Sequence, residues 1–198
     1  MRRRGFSTII RAMNIYHRWY CGSGRWRTRA QETLLPGLTK GVDFGDHALE
    51  VGPGRGVTTE WLRERVAALT AVEIDHRLAE SLRRKFDGAN VRVVEGDASS
   101  MQFDDASFSV AFSFAMLHHM PFDRQDLLFG EVARVLRPGS LFVGMDSIPS
   151  LRWNLVHLFD DRYPVDPEGL PARLEAAGFT EVKVRVSGDG FAFRALRG

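Results

Sequence analysis

The chain has 198 residues, 44% hydrophobic and 26% charged, with a formal net charge of +2, which suits one domain with a single core and leaves little for a second. Its one cysteine, Cys21, excludes an internal disulfide or a cysteine metal cluster. No apolar run approaches the ~18 residues needed to span a bilayer, so a reducing, cytoplasmic setting with no membrane span is expected. The charge is uneven: residues 1–31 carry eight arginines and no acid, and the remainder carries 19 basic against 25 acidic side chains. Such a basic arm can meet phosphate or an anionic surface, or lie solvated at a chain end.

Arg3-Arg4-Gly5-Phe6 resembles the start of a twin-arginine export signal, but Arg11, His17 and Arg18 interrupt the apolar run that should follow. Residues 7–40 read as helix and loop, broken at Cys21-Gly22-Ser23-Gly24 and resuming as helix over 28–38. Strand and helix then alternate. Strands are expected at 48–51, 69–74, 91–94, 108–114 and 141–145. Helices are expected at 57–66, 76–86 and 123–136, the last stopped by Arg137-Pro138-Gly139. Ser150 caps an apolar helical pattern over 151–159, and Asp166-Pro167 opens a further helix closed by Gly178. Val182, Val184 and Val186 alternate with charge, a Ser187–Gly190 turn follows, and Phe191 and Phe193 alternate again, as in an antiparallel hairpin. The alternation over 48–146 implies right-handed crossovers and a doubly wound α/β sheet, whose ligands bind beyond the carboxyl ends of the strands.

Gly52, Gly54 and Gly56 follow the first strand directly. The dinucleotide fingerprint starting at Gly52 would place Gly or Ala at residue 57, and Val57 stands there instead. A branched side chain crowds the helix start where a pyrophosphate wants bare amides. Glu73 closes the second strand and can take both hydroxyls of a ribose. Ile74 beside it offers an apolar face for a base, and Asp97, in Gly96-Asp97-Ala98 at the end of the third strand, can accept from an exocyclic amine. Together they describe adenine and ribose without phosphate.

Leu49-Glu50-Val51-Gly52-Pro53-Gly54-Arg55-Gly56, Ala71-Val72-Glu73-Ile74-Asp75, Glu95-Gly96-Asp97-Ala98 and Leu136-Arg137-Pro138-Gly139 resemble the class I S-adenosylmethionine-dependent methyltransferases over roughly residues 46–146. The resemblance implies a Rossmann-like, mostly parallel seven-stranded sheet with a C-terminal antiparallel hairpin, S-adenosylmethionine as cofactor and S-adenosylhomocysteine as product. It implies cofactor contacts at Glu50, orienting the amino group, at Gly52, Gly54 and Gly56, at Glu73, Ile74, Asp97 and Ala98, and at Phe114 closing the fourth strand. No metal is implied.

The glycine turn with Glu73-Ile74-Asp75 is also similar to the ribosomal RNA adenine dimethylases. Their Asn-[Ile/Leu]-Pro-Tyr loop, whose amide and carbonyl accept the target amine and whose aromatic stacks on a flipped base, is replaced here by Ser113-Phe114-Ala115-Met116-Leu117-His118-His119, with no Asn, Pro or Tyr. That stretch is instead similar to the branch that methylates small molecules, the type 11-like branch. His118 and His119 are the candidate catalytic pair, with a loop-fixing role as the alternative, since an imidazole suits a general base. Tyr16, Tyr20, Trp26, Asp146 and Trp153 are candidates for the substrate pocket. The expected organisation is an N-terminal helical, Arg- and aromatic-rich arm over the active site (1–40) and an S-adenosylmethionine-binding catalytic domain (41–198). The expected reaction is in-line methyl transfer to a small apolar or aromatic acceptor. The alternatives are an RNA methyltransferase using the basic arm, because aromatics among arginines bind nucleic acid, and a non-catalytic cofactor-binding protein.

Overall fold

The computed structural model describes residues 23–150, Leu155 and residues 162–198. The first described element is a continuous helical segment: α1 (Gly24–Arg29), a π-type turn (Ala30–Leu34) and α2 (Leu35–Leu38). It begins four residues before the expected helix because the Ser23 hydroxyl accepts the Trp26 amide at 3.2 Å, the N-cap bond that an orphan first-turn amide needs.

Seven strands follow in one sheet: β1 (His47–Val51), β2 (Ala68–Glu73), β3 (Val91–Glu95), β4 (Phe108–Phe114), β5 (Leu136–Ser147), β6 (Phe179–Ser187) and β7 (Gly190–Arg197). Their spatial order is β3-β2-β1-β4-β5-β7-β6. Strands β1 to β5 pair in parallel, and β7 runs antiparallel between β5 and β6. The sheet is thus the expected doubly wound one with a reversed terminal hairpin. Helices α3 (Val57–Leu62), α4 (His76–Lys85), α5 (Phe122–Val135) and α6 (Leu170–Ala176) complete the described elements, with a 3₁₀ turn at Leu117–His119.

The central strands are apolar on both faces because both faces are covered. In β1, Ala48 packs with Leu35, Trp61, Leu62 and Phe112 on one side, while Leu49 and Val51 pack with Leu128, Phe129 and Phe142 on the other. This is the period-two alternation of a strand between two layers. Strand order reverses between β1 and β4, and the crevice at their carboxyl ends is the topological switch point where such sheets take ligands.

Three boundaries differ from expectation. Helix α3 stops at Leu62 rather than residue 66, and Asn90 Nδ2 donates to the Arg63 and Val66 carbonyls, both at 2.8 Å, that further turns would have used. Strand β5 starts at Leu136, opposite Phe108, and its register shifts before Leu141 meets Val110, so Arg137-Pro138-Gly139 is a bulge inside the strand that also ends α5. The last helix begins at Leu170. Asp166 spends its carboxylate on the amides of Glu168 and Gly169, at 3.1 and 3.0 Å, in a preceding turn, and Pro171 rather than Pro167 occupies the helix's first turn.

Candidate cofactor and active site

The turn after β1 uses three glycines for three reasons. All have positive φ, at 69°, 55° and 72° for Gly52, Gly54 and Gly56, a region that only glycine enters cheaply. A Cβ on Gly52 would stand 2.2 Å from Met116 Cγ. A Cβ on Gly56 would meet Leu82 Cδ2 at 2.6 Å and the Phe86 ring at 3.0 Å, so the bare backbone there seats α4. Of the three, Gly54 meets nothing within 4 Å among the described residues. Of the three expected cofactor glycines, Gly56 thus has a packing role against Leu82 and Phe86.

Beneath the turn, Glu50 is 1% exposed. One of its oxygens accepts from the Thr58 hydroxyl and the other from Thr59 Oγ1 at 2.6 Å, which ties β1 to the start of α3. Burial pushes its carboxyl up to about 7 against those two hydroxyl bonds. At the end of β2, Glu73 Oε2 accepts the Gly54 amide and Oε1 the Asp75 amide, each at 3.0 Å. Burial also raises this carboxyl, with the same amides opposing the shift. Ile74 is 46% exposed despite its size. Asp97, at the end of β3, accepts the Ser99 amide and hydroxyl through Oδ1 at 2.9 and 2.7 Å, and Oδ2 lies 3.4 Å from Arg124 Nη1. Ala98 and Phe114 are buried in the two apolar layers, Phe114 stacked on Phe112 at 5.7 Å.

Two residues expected separately come together. His118 Nδ1 lies 2.5 Å from Asp146 Oδ1, and the His118 amide donates to Asp146 Oδ2 at 3.1 Å. His118 is 2% exposed and Asp146 fully buried, so the carboxylate holds both ring and backbone of the loop after β4. The His119 ring packs on His118 at 4.1 Å and is only partly buried. Gln125, fully buried on α5, donates through Nε2 to the Leu117, Met120 and Tyr163 carbonyls, and the Tyr163 amide donates to the His118 carbonyl at 2.8 Å.

Trp26 lies on α1, and its neighbours dock on α3: Gln31 Nε2 donates to the Val57 carbonyl at 2.9 Å, and Arg27 pairs with Glu60. Tyr16, Tyr20 and Trp153 lie outside the described residues. Met116, Ala115, Arg124 and Gln125 escaped the sequence reading because each acts through a partner far away in the chain. Ala115, a small residue between Phe114 and Met116, has φ 53°.

Residues 49–144 match the family described as methyltransferase domain. The chain is 35% identical over 107 residues to a fatty-acid O-methyltransferase of Mycolicibacterium smegmatis, a match covering 53% of this chain and 38% of that protein. It is 28% identical over 181 residues to the ribosomal RNA small subunit methyltransferase A of Cupriavidus taiwanensis, covering 80% of this chain and 64% of that one. It therefore spans less than two thirds of the length of either relative. A solved Pyrococcus horikoshii structure superposes with a TM-score of 0.76 at 23% identity, covering 97% of this chain and 99% of that chain. No helix among the described residues is long and apolar enough to cross a membrane. The methyltransferase-domain match thus falls on the stretch that carries the glycine turn and the three strand ends, within a sheet whose fold is shared with the solved Pyrococcus horikoshii protein.

Proposed function

We propose that this chain binds S-adenosylmethionine across the ends of β1, β2 and β3 and methylates a small apolar or aromatic acceptor. The observation that carries the reading is Glu73: a buried carboxylate fixed by the Gly54 and Asp75 amides, with exposed Ile74 beside it. Asp97 stands on the adjoining strand end. A ribose, an adenine and its exocyclic amine fit that row, and an amino-acid tail would run along the backbone of the turn past Gly52. Val57 is buried at the start of α3, where a diphosphate would need open amides.

When bound, the cofactor would supply a methyl group on a sulfonium, with a neutral thioether as the leaving group. The chain's own part is orientation, a large fraction of such a barrier. His118 is too deeply held to meet a substrate, so a proton lost by the acceptor would pass to His119 or to solvent. The fatty-acid O-methyltransferase relative supports an acceptor of apolar body, and a carboxylate acceptor requires no base at all. The alignment with a ribosomal RNA methyltransferase over most of this chain favours a second reading, in which the acceptor is RNA.

The test is thermal unfolding with S-adenosylhomocysteine, S-adenosylmethionine and NAD. Ligand at 100 times its Kd adds about 2.7 kcal/mol to stability. A raised Tm with the first two and none with NAD is expected, and Glu73→Ala, still folded, loses it. An unshifted Tm with all three, or an undiminished shift in Glu73→Ala, overturns the reading. RNA binding that falls steeply with salt would move the acceptor to the second reading.

A further inference from the structure

Ala115 and Met116, in the loop after β4, bear on the first glycine of the turn. Ala115 is held at φ 53°, in the left-handed region that a non-glycine residue enters at a cost. Its amide is pinned by the Met145 carbonyl at 2.8 Å, so the conformation is imposed by pairing with β5. The consequence is the placement of the next side chain. Met116 is turned back across the crevice onto Gly52, with Cγ, Cβ and Sδ at 2.2, 2.9 and 3.4 Å from where a Cβ on Gly52 would stand. Gly54, two residues on, has nothing within 4 Å among the described residues. The two glycines of one turn differ in that Met116 covers the first.

We infer that Met116 is a specificity-determining residue of the cofactor site, a thioether plug on Gly52 that only a ligand carrying the amino-acid tail has to displace. The inference rests on the proposed cofactor reading, in which the tail passes Gly52 while adenine and ribose lie at Ile74, Asp97 and Glu73. Methionine suits the role: its unbranched side chain has three rotatable bonds and repacks readily. Half-buried at the switch point, Met116 fills the tail's place in the free protein and swings aside when the tail arrives. The free site therefore divides into an open nucleoside part and a covered tail part. Adenosine enters without moving Met116, whereas S-adenosylhomocysteine pays for its displacement.

The experiment is calorimetric titration of wild type, Met116→Ala and Met116→Ile with adenosine and with S-adenosylhomocysteine. Removing the plug raises the fraction of binding-competent protein, so Met116→Ala is expected to bind S-adenosylhomocysteine about tenfold tighter, with adenosine unchanged. Ile, near methionine in volume but stiff at χ1, is expected to weaken S-adenosylhomocysteine and again spare adenosine. A loss of S-adenosylhomocysteine affinity in Met116→Ala would mark Met116 as a wall of the bound site and overturn the inference, as would equal changes for both ligands. Should Met116→Ala fold poorly, the Ile variant decides: unchanged or tighter S-adenosylhomocysteine binding in it overturns the plug. A wild type that binds neither ligand would instead sink the cofactor reading itself.

Discussion

Glu50 shows what one side chain costs when its charge is taken out of water. Its carboxyl is pushed up to about 7 by burial, with the Thr58 and Thr59 hydroxyls and the distant Lys85 favouring the charged form and Glu73 opposing it. The folded state thus holds the proton more tightly than the unfolded chain does. The stability so gained is fully present below the ordinary carboxyl range, near pH 4.5, and is lost as pH rises through about 7. Glu73 is shifted in the same direction and adds to the slope. Glu50→Gln keeps the shape and cannot ionise. We expect its stability advantage over wild type to grow between pH 5 and pH 8, by up to about 3 kcal/mol if the whole shift is expressed. Guanidinium unfolding of both proteins at the two pH values checks this; a gap independent of pH would show that Glu50 titrates as it would in water.

At the scale of elements, the loop after β4 is built by side chains rather than by secondary structure. Asp146 from β5 grips His118, Gln125 from α5 collects three carbonyls, and Arg173 from α6 donates to Gln125 Oε1 at 2.9 Å. Among the described residues, His118→Ala leaves the fully buried carboxylate with the amides of residues 118 and 147. A cost of about 3 kcal/mol in urea unfolding is expected, because the lost partner leaves a desolvated charge behind. A near-neutral result would mean that Asp146 is satisfied without the ring. The same loop marks the limit of what the sequence discloses. Order and type of β1 to β5 were legible, because apolar runs and glycine turns are local signals of a two-layered parallel sheet. His118 and Asp146 were each legible as polar residues near strand ends, but their pairing spans 28 positions and depends on the register of β4 against β5. Gly56 was legible as a glycine the backbone needs. That Leu82 and Phe86 fill the space over it was not, because composition records the missing Cβ and says nothing of what occupies its place.

At the scale of the whole molecule, the question is whether the N-terminal arm is a separate lid or part of the fold. Leu35 is 1% exposed and packs in the layer of Trp61, Leu62, Val110, Phe112 and Val143. Arg194, on the strand that closes the sheet, donates through Nη2 to the Leu38 and Lys40 carbonyls at 2.6 and 3.0 Å. The described arm is therefore fastened to the first and last strands of the domain, and Gln31 holds it beside the glycine turn. An arm built in this way unfolds with the core. Leu35→Ala removes a side chain from a close-packed layer, at a cost of about 2–5 kcal/mol. It is expected to lower the Tm of one cooperative transition and to steepen nothing below it. Calorimetry resolves the alternative: a lid resting on a finished domain would leave the main transition unmoved and melt separately at lower temperature. If the single transition shifts as expected, truncations through residue 38 cannot be used to test the arm's part in acceptor binding, because they remove core. That test then belongs to substitutions at Trp26, on the stretch of the arm that α3 and the glycine turn hold in place.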